Sequence, residues 1–227
     1  MKSLNAFFDF FIPRYCPSCK EKLKLEENCI CDECLSSIER ADSSRLNSEY
    51  QRKFASTKII SGFTSLFVFE KDKALQLFIH SIKYNKRFLN AKYLGKLIGK
   101  NLKEQIINWN VDIIVPVPLH SLRKVDRGFN QSKYIAIGMG KELGIEVKSN
   151  FLKRIRYTET QTNLTLEERE ENISNAFQAK HKRLIDGKTF LLVDDVITTG
   201  ATIRECGKVL LDKGAAKVYA CSSAIAD

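Results

Sequence analysis

Phe190-Leu191-Leu192-Val193-Asp194-Asp195-Val196-Ile197-Thr198-Thr199-Gly200-Ala201-Thr202 is an apolar run, an acid pair and a hydroxyl-rich turn in direct succession. Four apolar residues predict a buried strand with two carboxylates at its carboxyl end. Thr202 to Leu211 then has Ile203, Cys206, Leu210 and Leu211 at helical spacing. Gly200 permits a close backbone approach to a ligand. The hydroxyls of Thr198, Thr199 and Thr202, with turn N–H groups at a helix N-terminus, make a cradle for a phosphate. Two carboxylates above it suit ribose hydroxyls or a Mg²⁺-bound sugar phosphate, since adjacent acids repel unless a cation or donors offset them. The plainer reading is a strand ending in a solvated acidic turn.

These residues resemble the phosphoribosyl-diphosphate (PRPP) motif of type I phosphoribosyltransferases. The resemblance implies that Asp194 and Asp195 contact ribose. It implies that Thr198, Thr199, Gly200, Ala201 and Thr202 bind the 5′-phosphate, with Val196 and Ile197 also among the PRPP-binding residues.

The chain around this motif has 227 residues, 44% hydrophobic and 28% charged, which fits a soluble globular protein with one full domain and a small appendage. No apolar run reaches the ~18 residues of a membrane span. The oily opening, residues 4–12, is interrupted by Asn5 and Asp9 and lacks a small-residue cleavage site. It reads as an apolar helix packing on the body rather than a signal peptide. The net charge of +10 is localised: Lys71 to Lys103 holds nine basic residues and one acid, a net of +8. Such an excess favours phosphorylated or polyanionic partners.

Cys16-Pro17-Ser18-Cys19 and Cys31-Asp32-Glu33-Cys34 are two Cys-x-x-Cys knuckles. Four thiolates so presented can close a tetrahedral Zn²⁺ site, on which so short a segment would depend to fold. A disulfide pair would need an oxidising compartment, which no secretory signal supports, and a redox pair would not need the motif twice. Cys29 could replace Cys31, but the symmetric spacing leaves it out. Cys206 and Cys221 lie in apolar patterns and read as core residues. Residues 1–40 are therefore read as an N-terminal helix and zinc ribbon, the aperiodic polar stretch 41–57 as a linker, and 58–227 as the main domain.

Within that domain, Gly62 to Phe69 predicts a strand, Lys71 to Asn85 a helix and Phe88 to Ile107 a second helix. Lys92, Lys96 and Lys100 stand four apart on the latter, either a solvated face or a surface binding DNA phosphates without reading sequence. Val111 to Val117 is a strand leading to His120, Arg123, Lys124 and Arg127, which places cations at the sheet edge where α/β proteins bind ligands. Phe151 to Arg156 reads as a strand, Thr165 to Asn175 as a capped helix, and Ala216 to Ala224 as the last strand. Alternating strands and helices imply an α/β fold with a mostly parallel sheet.

Several motifs together narrow the resemblance: the paired Cys knuckles, Ile82-Lys83-Tyr84, Pro116-Val117-Pro118-Leu119-His120 and Arg127-Gly128-Phe129-Asn130-Gln131. Arg156-x-Thr158-x-x-Gln161-x-x-Leu164, Arg169-x-x-Asn172 and the acid pair complete the set. The chain resembles the ComF (ComFC) family of zinc-ribbon, phosphoribosyltransferase-like competence proteins. That likeness implies a type I phosphoribosyltransferase fold, structural zinc, Mg²⁺ with PRPP, and a cytoplasmic role in handling single-stranded DNA during natural transformation. A competence helicase or other DNA-processing protein is an implied partner. The same likeness places Leu119, His120 and Arg127 in the pyrophosphate loop, Thr158 to Leu164 in a covering loop, and Asp194, Asp195 and Arg127 in catalysis. Thr198 stands where hypoxanthine-guanine transferases carry a base-directed aspartate, and Val125 where relatives are often basic. Two readings result: transfer of phosphoribosyl to an acceptor, or a non-catalytic PRPP-sensing, DNA-binding scaffold.

Overall fold

The computed structural model describes residues 13–71, 73–84, 87–120, 125, 127–156 and 173–226. The expected opening helix, Arg123, Lys124, the loop Thr158–Leu164, Arg169 and Asn172 lie outside them, as does all but the end of the helix expected over Thr165–Asn175. Elements are numbered in chain order: α1 (Asp32–Ser36), α2 (Ser43–Lys53), β1 (Gly62–Val68), α3 (Ala74–Tyr84), α4 (Phe88–Asn101), α5 (Lys103–Asn108), β2 (Ile113–Pro116), α6 (Gln131–Leu143) and β3 (Glu146–Val147). There follow β4 (Leu152–Arg154), β5 (Phe177–Ala179), α7 (Lys182–Ile185), β6 (Thr189–Ile197), α8 (Ala201–Leu211) and β7 (Lys217–Ile225).

Five strands form one all-parallel sheet in the order β1-β7-β6-β2-β3. The β6 side chains alternate between two packed faces, as period-two geometry requires of a doubly covered strand. Leu191 and Val193 join the cluster under α3, α4 and α6. Phe190 and Leu192 join the one under α2 and α8; across the acid pair the phase shifts by one, so that Val196 packs on the first cluster and Ile197 on the second. A short antiparallel pair, β4 with β5, packs on the second face.

The chain leaves β2 towards β3 but leaves β6 towards β7, in opposite directions across the sheet. Neighbouring strands whose connections diverge open a crevice beyond their carboxyl ends. Both sequence motifs, Pro116 to His120 and Val193 to Thr202, run into that crevice.

Three expectations are corrected. Strand β6 runs on through both acids to Ile197, so Asp194 and Asp195 lie within the strand rather than beyond it. The expected helix over Phe88–Ile107 breaks at Leu102 into α4 and α5. The 41–57 stretch, read as a linker with no clear period, contains a helix: Ser43–Lys53 is helical, with Asp42 capping it by accepting from the Arg45 N–H at 2.7 Å. Its inward face mixes Leu46 and Tyr50, packed on the second cluster with Phe54, and the buried charges Glu49 and Lys53, which dilute the apolar stripe.

Candidate functional site

A cavity of about 370 Å³ occupies the crevice. Leu119, Arg127, Asp194, Asp195, Val196, Thr198 and Thr202 line it, as do Lys83, Ser132 and Arg154. Ile197, Gly200 and Ala201 are buried behind the wall, and Thr199 and His120 are half-buried beside it. Structure thus brings the acid pair, the threonine turn and Arg127 together around one space.

Asp194 Oδ1 accepts from the Ser132 hydroxyl at 2.8 Å and from the Asp195 N–H at 2.9 Å. Asp195 Oδ1 accepts from the Val196 N–H at 2.8 Å, and its Oδ2 lies 2.7 Å from the Lys83 ammonium. Burial, and then the neighbouring Asp195 charge, push the Asp194 carboxyl up to about 7. Burial opposes ionisation of Asp195 too, but Lys83, the Val196 N–H and Arg127 together outweigh it and hold that carboxyl below its ordinary range. The pair is therefore short of positive charge by itself, and hydroxyl donors or a cation would complete it.

Lys83 and Ser132 are the main residues that sequence reasoning missed. Lys83 was visible only as part of Ile82-Lys83-Tyr84, and its partner lies far along the chain. Ser132 sits at the start of α6, where the Asn130 side chain caps the helix by accepting from the Ser132 N–H at 3.1 Å. The Arg127 guanidinium reaches Gln131 Oε1 at 3.3 Å and lies 5.9 Å from the centre of the Tyr84 ring.

The threonine turn is held from behind by α2. The Lys53 ammonium donates to the Thr198 carbonyl and, at 2.9 Å, to the Ala226 carbonyl, and it pairs with Glu49 at 3.1 Å. Arg204 donates to the Lys53 carbonyl at 2.6 Å and to the Thr199 carbonyl at 3.0 Å. Peptides are planar and trans, so drawing these carbonyls towards α2 and Arg204 turns the following N–H groups the opposite way. Gly200 has φ +76°, and a Cβ there would stand 2.7 Å from the Phe54 ring. On the protein side, then, the close approach that demands this glycine is to Phe54, where the sequence suggested a ligand.

At the other end of the chain, the Sγ atoms of Cys16, Cys19, Cys31 and Cys34 lie within 4.8 Å of one another. Four sulfurs ~2.3 Å from a tetrahedral Zn²⁺ stand about 3.8 Å apart, and Cys19 and Cys31 are separated by 3.7 Å. The set fits structural zinc. Cys29 lies outside it, its thiol pushed up to about 11 by burial. Burial also raises the Cys16 thiol, but N–H groups of Cys31, Cys19 and Ser18 outweigh this and bring it down to about 6. On α4, Lys96 and Lys100 are exposed and Lys92 is half-buried, flanking the contact in which Gly138 of α6 lies against the Lys92 and Lys96 backbone. Among the described residues no helix is long and apolar enough to cross a membrane.

The sequence matches the family model described as phosphoribosyl transferase domain over residues 87–225. It is 35% identical over 147 residues to the DNA utilization protein YhgH of Salmonella typhi, covering 63% of this chain and 64% of that protein. Competence protein F of Haemophilus influenzae is 31% identical over 148 residues, covering 63% and 65%. Just under two thirds of each relative's length is thus matched. Among solved structures, one described as the allosteric regulatory enzyme of purine biosynthesis has a TM-score of 0.40 at 26% identity, covering 59% of this chain and 25% of that one.

Proposed function

The chain belongs to the phosphoribosyl transferase domain family, and from that premise we propose that it binds PRPP in the β2/β6 crevice and acts in the handling of single-stranded DNA. The observation that carries the PRPP reading is the acid pair on β6, set beside a threonine turn whose carbonyls are drawn back from the cavity. Asp194 and Asp195 accept from the two ribose hydroxyls. The turn from Thr198 to Thr202 takes the 5′-phosphate through N–H groups and hydroxyls. Leu119, His120 and Arg127 form the pyrophosphate end, where the guanidinium faces the charge that grows on the leaving group. Mg²⁺, when bound with PRPP, would neutralise the pyrophosphate oxygens. Lys83 keeps Asp195 ionised until the ribose arrives, and Ser132 fixes the Asp194 carboxylate.

The DNA reading is supported by likeness to relatives named for DNA utilization and competence and by the concentrated positive charge. It places the protein in the cytoplasm, in natural transformation. Structural Zn²⁺ on the four cysteines completes the reading.

Calorimetric titration with PRPP, with and without Mg²⁺, tests it, with released pyrophosphate assayed in the same mixture. Micromolar, Mg²⁺-dependent binding that is lost in Asp194→Asn/Asp195→Asn is expected. Unchanged affinity in that double variant would overturn the site. Pyrophosphate release on adding an acceptor marks transfer; binding without release under every acceptor favours the sensing scaffold.

A further inference from the structure

A second cavity of about 550 Å³ lies beside the first. Pro118, Leu119, Asn130 and Arg154 line both, so the two spaces meet across the loop between β2 and α6. Lys133 and Lys153 stand exposed on its rim, Arg154 is within its wall, and among the described residues no carboxylate lines it. Two aromatics stand in its wall beside Leu119, Ser149 and Leu152: Tyr134 and Phe129 pack edge-to-face with ring centres 5.3 Å apart. Phe88, at the start of α4, extends this surface 5.2 Å from Tyr134 while 45% exposed. Phe88 packs on Phe129 and Tyr134 and still leaves nearly half of its surface open to a stacked base.

We infer that this cavity and its aromatic rim bind single-stranded DNA next to the PRPP site, an inference that rests on the DNA reading above. Unstacked bases present π-faces to aromatic side chains while their phosphates meet lysines. A duplex, with its bases turned inward, could use only the lysines. The Lys92, Lys96 and Lys100 row continues from Phe88 along the same stripe of α4, so it can carry the strand onward, while the cavity adds Lys133, Lys153 and Arg154 beside Tyr134. The position also fits a strand delivered to the reacting end of bound PRPP, since the two ligands would share the Arg154 and Asn130 wall.

Binding of a fluorescent oligothymidine to the full chain, followed by anisotropy across a salt series, tests this, with PRPP calorimetry on the same variants. Lys133→Gln/Lys153→Gln is expected to reduce the slope of log affinity against log salt by about 1.4, the value for two single-strand phosphate contacts. Phe88→Ala is expected to weaken binding about tenfold at fixed salt, and Phe88→Trp to restore it, which separates lost stacking from lost folding. PRPP affinity should stay at the wild-type value in all three. If Lys92→Gln/Lys96→Gln/Lys100→Gln carries the whole loss while the cavity variants bind normally, the cavity assignment is wrong and the DNA reading survives. Equal affinity for a duplex, with no effect of Phe88→Ala, also overturns it. A wild-type protein that binds no strand at low salt removes the DNA reading and this inference together, leaving the PRPP result to stand separately.

Discussion

Asp194 meets two opposed demands. On the PRPP reading proposed above its carboxylate accepts from a ribose hydroxyl, yet burial and Asp195 push its pKa up to about 7 from an ordinary 3.8. A carboxyl whose folded pKa is raised binds more protons in the folded than in the unfolded state between those two values. Its contribution to stability therefore falls as pH rises through that window. Asp195 has the opposite sign: its pairing with Lys83 contributes stability that is lost as pH falls below the ordinary carboxylate range. Asp194→Asn keeps an oxygen for the Ser132 hydroxyl while removing the charge. The ligand-free variant should be more stable than wild type at pH 8 by on the order of 1–2 kcal/mol, roughly 2–8 °C, with little difference near pH 4. PRPP binding should be lost. Thermal melts of both proteins across pH check this, and an Asp194→Asn protein less stable at pH 8 would refute the assigned strain.

At the scale of elements, α2 acts as a brace for the threonine turn. Lys53 and Glu49 are 3% and 5% exposed at the side chain, so their pair is buried. Glu49 also meets Arg52 at 2.6 Å and Arg45 at 3.4 Å, so losing Lys53 does not strand that carboxylate; it leaves the Thr198 and Ala226 carbonyls without their donor, at about 1–3 kcal/mol. Lys53→Met should therefore destabilise by about that amount, and Glu49→Leu in the same chain should not recover the loss. The Lys53→Met protein, still folded, should bind PRPP weakly, because nothing draws the Thr198 carbonyl back; full affinity in it would show that the brace only stabilises. The sequence carried a sparse signal for this helix, Leu46, Tyr50 and Phe54 four apart, but the buried Glu49 and Lys53 share that face and hide it among the polar residues of the stretch. The strands were legible because both sides of the sheet are covered, which makes β6 and β7 apolar runs. The turn was legible from its threonines and Gly200, but the reason for Gly200 lay in Phe54, on an element not yet recognised. Where α4 ends at Leu102, the apolar spacing continues into α5, so nothing in the pattern marks the break.

At the scale of the whole molecule, the four-cysteine ribbon is not an appendage hanging from the body. Cys16, Leu23, Ile30, Cys31 and Ile38 belong to the same buried cluster as Leu75 and Phe78 of α3. The Ser18 hydroxyl donates to the Ala74 carbonyl at 2.9 Å, at the start of that helix. The exit from the ribbon lies along β1, with the Val68 N–H donating to Glu39 and the Ala41 N–H to Leu66, which covers an otherwise open sheet edge. Helix α3 ends at Lys83 and Tyr84, so the ribbon supports the element that presents the Asp195 partner. Zinc loss should then be felt in the site and not only locally. Chelation, or Cys31→Ser, should lower the single melting transition by several degrees or more and weaken PRPP binding. Cys29→Ser should keep one zinc per chain and the wild-type melt, because that sulfur lies outside the cluster. Metal analysis, calorimetric melts and PRPP titration of the three proteins decide the matter. A separate low-temperature transition with PRPP affinity unchanged would show that the ribbon folds and acts apart from the site. Retention of zinc by Cys31→Ser but not by Cys29→Ser would instead exchange the fourth ligand.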